Sequence, residues 1–104
     1  AYTVTGNIDL AVKYFEKALA LNPNVFATNY NLANLYLKRD REEDALRLLT
    51  MAALIRPKIP ETHELLGEIY LQRKQIKLAE FHLKRAVEIK PDYALAMRNL
   101  GIIY

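Results

Sequence analysis

Apolar and polar residues alternate along this chain with the period of an α-helix rather than that of a β-strand. In residues 8–21, for example, Ala11, Phe15 and Ala18 are spaced so that they fall on one helical face. The same spacing recurs in five later segments and predicts six helices: 8–21, 25–38, 42–55, 60–72, 76–89 and 93–104. Residues 1–5 are interpreted as the end of a preceding helix.

Turn-forming residues separate the predicted helices. Gly6 and Asn7 indicate a turn, with Asn7 as the N-cap of the next helix, and Asn24 and Asp92 are the corresponding N-cap candidates further along. Pro23 ends a helix, because proline disfavours α geometry in the residue before it and has no backbone N–H to donate.

Two other turns lack glycine. Asp40 and Lys74 stand 34 and 68 residues after Gly6, so we expect both to adopt left-handed geometry. Aspartate tolerates that geometry better than most residues, and lysine does so less well. Pro60 suits the first turn of the helix that it begins.

Several residue types return at a fixed interval of 34 positions. Four columns illustrate this recurrence: Tyr2, Tyr36, Tyr70 and Tyr104; Ala11, Ala45 and Ala79; Ala18, Ala52 and Ala86; Pro23, Pro57 and Pro91. Such an interval indicates a repeated supersecondary unit.

The recurrent pattern resembles the tetratricopeptide repeat, which has a 34-residue period and small, tyrosine, alanine and proline positions in a fixed order. The copy at residues 60–93 matches best, through these residues: Leu66, Gly67, Tyr70, Ala79, Leu83 and Pro91. The tryptophan position of that family is occupied instead by Asn29, His63 and Met97.

The resemblance implies an all-α fold, a right-handed α-α superhelix (solenoid) of antiparallel helix pairs. We expect a single array over residues 1–104, divided as follows: the end of one repeat at 1–25, complete repeats at 26–59 and 60–93, and the first helix of a fourth at 94–104. Small residues in the alanine columns would let neighbouring helices approach closely.

Composition excludes several classes of function. The 104 residues are 52% hydrophobic and 26% charged, which argues against disorder, and a net charge of +3 is too small to indicate nucleic-acid binding. There is no cysteine, no phosphate-binding glycine loop and no nucleophile motif, so we expect neither an enzyme nor a cofactor. His63 and His82 lie on different predicted helices, and a packing role is predicted for His63. No apolar run approaches the ~20 residues of a membrane span, which favours a soluble protein, cytoplasmic by default.

The resemblance also implies that the first helix of each pair lines a concave surface that receives a peptide. Removing the packing positions leaves these candidates: Tyr30, Asn31, Asn34, Lys38, Glu61, Glu64, Glu68, Leu71, Arg98 and Asn99. The three glutamates share one helical face, and either a solvated face or an acidic strip for a basic segment explains them. The asparagines could read a peptide backbone, since their side chains both donate and accept hydrogen bonds.

Some family members grip the acidic tail of chaperones with lysine, asparagine and arginine side chains. Basic groups would then be needed where this chain has Tyr30, Leu95 and Asn99, and only Asn34 agrees with that pattern. The basic residues of 76–89 could suggest RNA, but a solvated surface is the favoured interpretation.

We therefore expect a non-enzymatic module that binds a basic or neutral peptide segment. One alternative is head-to-tail self-assembly, because the chain begins and ends partway through a repeat and its last helix is apolar. Another is a substrate-recruiting arm of a larger enzyme.

Overall fold

The computed structural model describes the backbone from residue 4 and the side chains from residue 7. Within that part it contains six α-helices and no strand: α1 (Val4–Leu21), α2 (Phe26–Lys38), α3 (Glu42–Ile55), α4 (Pro60–Gln72), α5 (Ile76–Ile89) and α6 (Ala94–Ile103). The all-α helical repeat predicted from the sequence is confirmed. Tyr2 and the rest of 1–3 lie outside the described residues.

The predicted turn at Gly6 and Asn7 is wrong, because α1 runs through both residues without a break. Glycine inside a helix costs only ~1 kcal/mol relative to alanine, which the contacts of a long helix can offset. The left-handed turns are confirmed at Asp40, with φ of 57°, and at Lys74, with φ of 61°.

The predicted N-caps Asn24 and Asp92 are also wrong. The residues before α2, α4 and α6 are Val25, Ile59 and Tyr93, all in extended geometry and without a side-chain cap hydrogen bond. These three positions are 34 residues apart, so the repeat fixes where each helix starts without using a capping side chain.

The chain divides into two compact units, Ala1–Ile55 and Arg56–Tyr104. In the first unit α2 packs against α1 and α3, and its core is formed by these buried residues: Leu32, Ala33, Tyr36, Ala45, Leu49 and Ala52. The Tyr36 hydroxyl donates to Glu16 Oε2 at 2.6 Å, and the Arg41 guanidinium lies 4.1 Å from the centre of the Tyr36 ring. Burial and this bond raise the pKa of Tyr36 to about 12.

In the second unit α5 packs against α4 and α6, and α6 also contacts α4. Leu83 and Ala86 of α5 form a fully buried cluster with Ala96 of α6. Four partly buried residues surround this cluster: Val87, Tyr93, Leu100 and Ile103. The apolar face of α6 is therefore held mainly by α5.

Ala45→Leu is expected to destabilise the first unit by about 1–3 kcal/mol, because Ala45 is completely buried where α3 meets α2 and has no room for three more carbons. Thermal unfolding checks this. Ala20→Leu, at an exposed position of α1, is the control and should change stability by no more than ~0.5 kcal/mol. An unchanged melt of Ala45→Leu would remove Ala45 from the helix interface.

None of the helices in the described part of the chain is both long enough and apolar enough to cross a membrane.

Candidate functional site

The candidate residues of the first unit lie along α2. Asn31 and Lys38 are exposed, and Tyr30 is half-buried with its ring stacked on Phe26 at 5.5 Å between centroids. The half-buried Asn34 donates its Nδ2–H to the Tyr30 carbonyl at 3.2 Å, so part of its hydrogen-bonding capacity is used within its own helix. Asn31 is the candidate asparagine here whose side chain faces solvent.

The candidate residues of the second unit lie on α4 and α6. Glu61, Glu68 and Arg98 are exposed and Leu71 is half-buried. Glu64 and Asn99 are buried, with only 4% and 6% of their surface exposed. The two explanations of the acidic strip, solvation and peptide binding, therefore apply to Glu61 and Glu68, whereas Glu64 is withdrawn from water.

Glu64 joins α4 to α6. Asn99 Nδ2 donates to Glu64 Oε2 at 3.2 Å, although the two residues are 35 positions apart. Glu64 also shares a hydrogen bond with the carboxyl group of Glu68, one helical turn away, and lies near Arg98. Four candidates predicted separately are thus brought together in one cluster.

Burial raises the pKa of Glu64 to about 7, and the hydrogen bond and negative charge of Glu68 act in the same direction. The positive charge of Arg98 opposes the shift. A carboxyl group that is buried beside a second carboxyl favours the protonated state, because two adjacent negative charges in a poorly solvated place repel. At neutral pH this site therefore exchanges a proton.

The residues in the tryptophan column bind the turn that precedes their own helix. Asn29 Nδ2 donates to the carbonyl oxygens of Pro23 at 3.0 Å and Val25 at 2.8 Å. One period later, His63 Nε2 donates to the Pro57 carbonyl at 2.8 Å. The packing role predicted for His63 is confirmed by its 6% exposure, and the sequence signal for its hydrogen bond was a polar residue six positions after each proline.

Sequence separation hid a second contact of His63. Its Nδ1 lies 3.1 Å from Nδ1 of His82 on α5, and the two rings are nearly coplanar at 23°. The Pro57 carbonyl can only accept, so His63 Nε2 carries a hydrogen and, in the neutral ring, Nδ1 accepts from His82.

Aromatic rings surround His82. The centres of the Tyr70 and Phe81 rings lie 5.7 Å and 5.1 Å from that of His82. Burial, together with the neighbouring His63, lowers the pKa of His82 to about 4. Within residues 7–104, no group of three or more side chains is arranged to hold a metal ion, so the two histidines serve as a structural pair between α4 and α5.

Comparison with known proteins identifies related sequences and folds. Family models described as tetratricopeptide repeat match residues 5–69 and 60–93. A curated relative, the anaphase-promoting complex subunit CDC16 of Saccharomyces cerevisiae, is 25% identical over 103 residues, which is 99% of this chain and 12% of that protein.

Solved structures with a similar fold include MamA, with a TM-score of 0.88 and 26% identity over 96% of this chain and 58% of that one. MamA from Desulfovibrio magneticus RS-1 is 27% identical with a TM-score of 0.84, over 95% of this chain and 56% of that one. The first tetratricopeptide domain of Spaghetti (RPAP3), solved with an HSP90 peptide SRMEEVD, has a TM-score of 0.86 at 18% identity, over 95% of this chain and 79% of that one.

Proposed function

Because the chain belongs to the tetratricopeptide repeat family, we propose that it is a protein-interaction module that binds a basic or neutral peptide segment. The observation that carries this proposal is the face formed by α4 and α6 in the second unit, where exposed carboxylates and exposed apolar side chains occur together. Proteins of similar fold support the class of function, since one was solved with a bound peptide and the curated relative is a subunit of a complex.

The apolar part of this face lies on α6. Leu95 and Ile102 are 45% and 66% exposed, and with Asn99 they are spaced to share one side of the helix. Asn99 touches Glu64, so this side of α6 is the one directed toward α4. Large exposed apolar side chains next to polar groups are typical of interaction surfaces.

The charged part lies on α4. Glu61 and Glu68 are exposed and stand two helical turns apart, so they flank Glu64 on the same face. A basic or amide-rich segment would complement them, whereas an acidic peptide would meet repulsion. In the first unit, Asn31 and Lys38 of α2 are the corresponding exposed groups.

A fluorescence-anisotropy titration with three labelled peptides of equal length, rich in lysine, in serine and in glutamate, tests the proposal. We expect the lysine peptide to bind best, and the double variant Glu61→Gln and Glu68→Gln to weaken it a few-fold to about tenfold, because exposed ion pairs contribute ~0–1 kcal/mol each. The weakening should shrink at high salt.

The matched control removes the same charge elsewhere in the second unit, by Glu88→Gln and Asp92→Asn at exposed positions. If the glutamate peptide binds as well as the lysine peptide, or if both double variants lose affinity equally, the proposed role of the α4 carboxylates is wrong.

Self-assembly is a second candidate function. Leu10 and Tyr14 of α1 are 55% and 66% exposed, and Met97 and Tyr104 at α6 are 45% and 77% exposed. Association of these apolar surfaces in different copies would be heterologous and would extend into chains. Light scattering at rising concentration tests this, and a strict monomer at high concentration excludes it.

A further inference from the structure

Glu64 is covered by α6. Only 4% of its surface is exposed, and its carboxylate oxygen accepts a hydrogen bond from Asn99 on α6. If α6 moved away from α4, Glu64 would lose this bond and become solvated. The position of α6 therefore decides whether Glu64 lies in protein or in water.

The two carboxyl groups of Glu64 and Glu68 can hydrogen-bond to each other only while one of them carries a proton. The ionisable groups that act on Glu64 are Glu68 from α4 and Arg98 from α6. From α5, the histidine that faces α4 is His82, and it is paired with His63 instead. Loss of the proton thus leaves two carboxylates with Arg98 as the cation that acts on this pair.

The remaining attachment of α6 is small. The helix has ten residues, and its buried contacts are made by Ala96, Leu100 and Ile103 against α5. A helix of this length has marginal stability in isolation. Its attachment is therefore sensitive to a modest change in the few groups that hold it.

We propose that the proton shared by Glu64 and Glu68 holds α6 closed against α4, so that rising pH opens α6 and disassembles the face that α4 and α6 form. Closure is a property of the fold itself. Its consequence for peptide binding rests on the function proposed above, because Leu95, Arg98 and Ile102 belong to that face.

The direction follows from proton linkage. The pKa of Glu64 is about 7 when α6 is closed and returns toward its ordinary value of 4.5 when the side chain is solvated. The closed state binds the proton more tightly, so closure is strongest below pH 4.5 and weakens as pH rises through 7. Between pH 6 and pH 8 the equilibrium constant for opening should increase by up to about tenfold.

Hydrogen exchange measured by mass spectrometry tests closure without any peptide. After correction for the intrinsic pH dependence of exchange, peptides covering α6 should show the increase in opening between pH 6 and pH 8, while those covering α2 in the first unit should not. Glu64→Gln keeps an oxygen to accept from Asn99 but cannot ionise, so its α6 should open to the same extent at both pH values. Glu88→Gln, an exposed carboxyl on α5, should behave as the wild type.

An α6 whose corrected exchange is the same at both pH values in the wild type, or a Glu64→Gln variant that keeps the pH dependence, would overturn the proposal. Carbon-13 NMR titration of glutamate carboxyls in the wild type provides a test that needs no variant: an ordinary titration of Glu64 near pH 4.5 also overturns it.

Peptide binding separates the two proposals. With the serine-rich peptide, which carries no charge to confuse the comparison, wild-type affinity should fall from pH 6 to pH 8 and Glu64→Gln affinity should not. Equal affinity at both pH values, with α6 exchange still responding, removes only the link to binding. A failure of all three peptides to bind at any pH contradicts the proposed function and leaves the exchange result to decide closure.

Discussion

Gly67→Ala should destabilise the second unit by about 1–3 kcal/mol, although the same substitution within a helix normally stabilises it by ~0.5–1 kcal/mol. A Cβ atom at Gly67 would lie 2.6 Å from Leu83 Cγ, 2.8 Å from its Cδ2 and 3.3 Å from the Ala79 carbonyl oxygen. Leu83 is completely buried, so it has no free space into which to move. Urea unfolding at neutral pH measures the effect.

The chain contains a matched control for this prediction in the same repeat column. A Cβ atom at Gly101, 34 residues later, would meet no atom within 4 Å. Gly101→Ala should therefore show the ordinary gain of ~0.5–1 kcal/mol from reduced backbone entropy. Equal stabilisation by both substitutions would show that α4 and α5 are not in close contact at Gly67.

A double-mutant cycle identifies Leu83 as the cause. Leu83→Ala alone should cost about 2–5 kcal/mol, because it leaves a cavity in the buried cluster. In that background Gly67→Ala should no longer be destabilising, since the added methyl group occupies vacated space. Additive effects of the two substitutions would contradict this explanation.

Acid should weaken the second unit through His82. The pKa of this side chain is lowered to about 4 in the fold from an ordinary value of 6.5, so the unfolded chain binds its proton more tightly. The stability that His82 contributes is therefore fully present above pH 6.5 and is lost as pH falls toward 4. A second proton on the histidine pair would also place two N–H groups against each other across 3.1 Å.

His82→Asn removes the titration while offering an amide N–H in place of Nδ1–H. Compared with the wild type, this variant should lose about 1–3 kcal/mol less stability between pH 7 and pH 4, measured by urea unfolding at several pH values. Glu64 contributes with the opposite sign in this range, because its pKa is raised, so the comparison between variants isolates His82. Identical pH dependence in the two proteins would exclude the histidine pair as the source.

Helix positions were largely predictable, because hydrophobic period and the prolines are local features. The helices α3, α4 and α5 have the bounds expected from the sequence, and the left-handed turns at Asp40 and Lys74 follow from their place in the repeat. Helix starts were predicted less well. N-cap preference describes a helix with free choice of start, whereas here the extended residues Val25, Ile59 and Tyr93 precede the helices.

The candidate site was predictable as a set of positions but not as a set of environments. Tyr30, Glu64 and Arg98 occupy one repeat column, yet the first stacks on Phe26, the second is buried and the third is exposed. Column membership reports the direction of a side chain on its own helix. It does not report what the neighbouring helix places opposite.

The sequence by itself determined the repeat, its 34-residue period and the residues that face inward, because each follows from spacing along the chain. Only the tertiary structure decided which of these residues exchange protons. The contacts responsible join residues 19 positions apart, in His63 and His82, and 35 positions apart, in Glu64 and Asn99. A pKa depends on burial and on neighbouring charges, and both are set where helices meet rather than along any one of them.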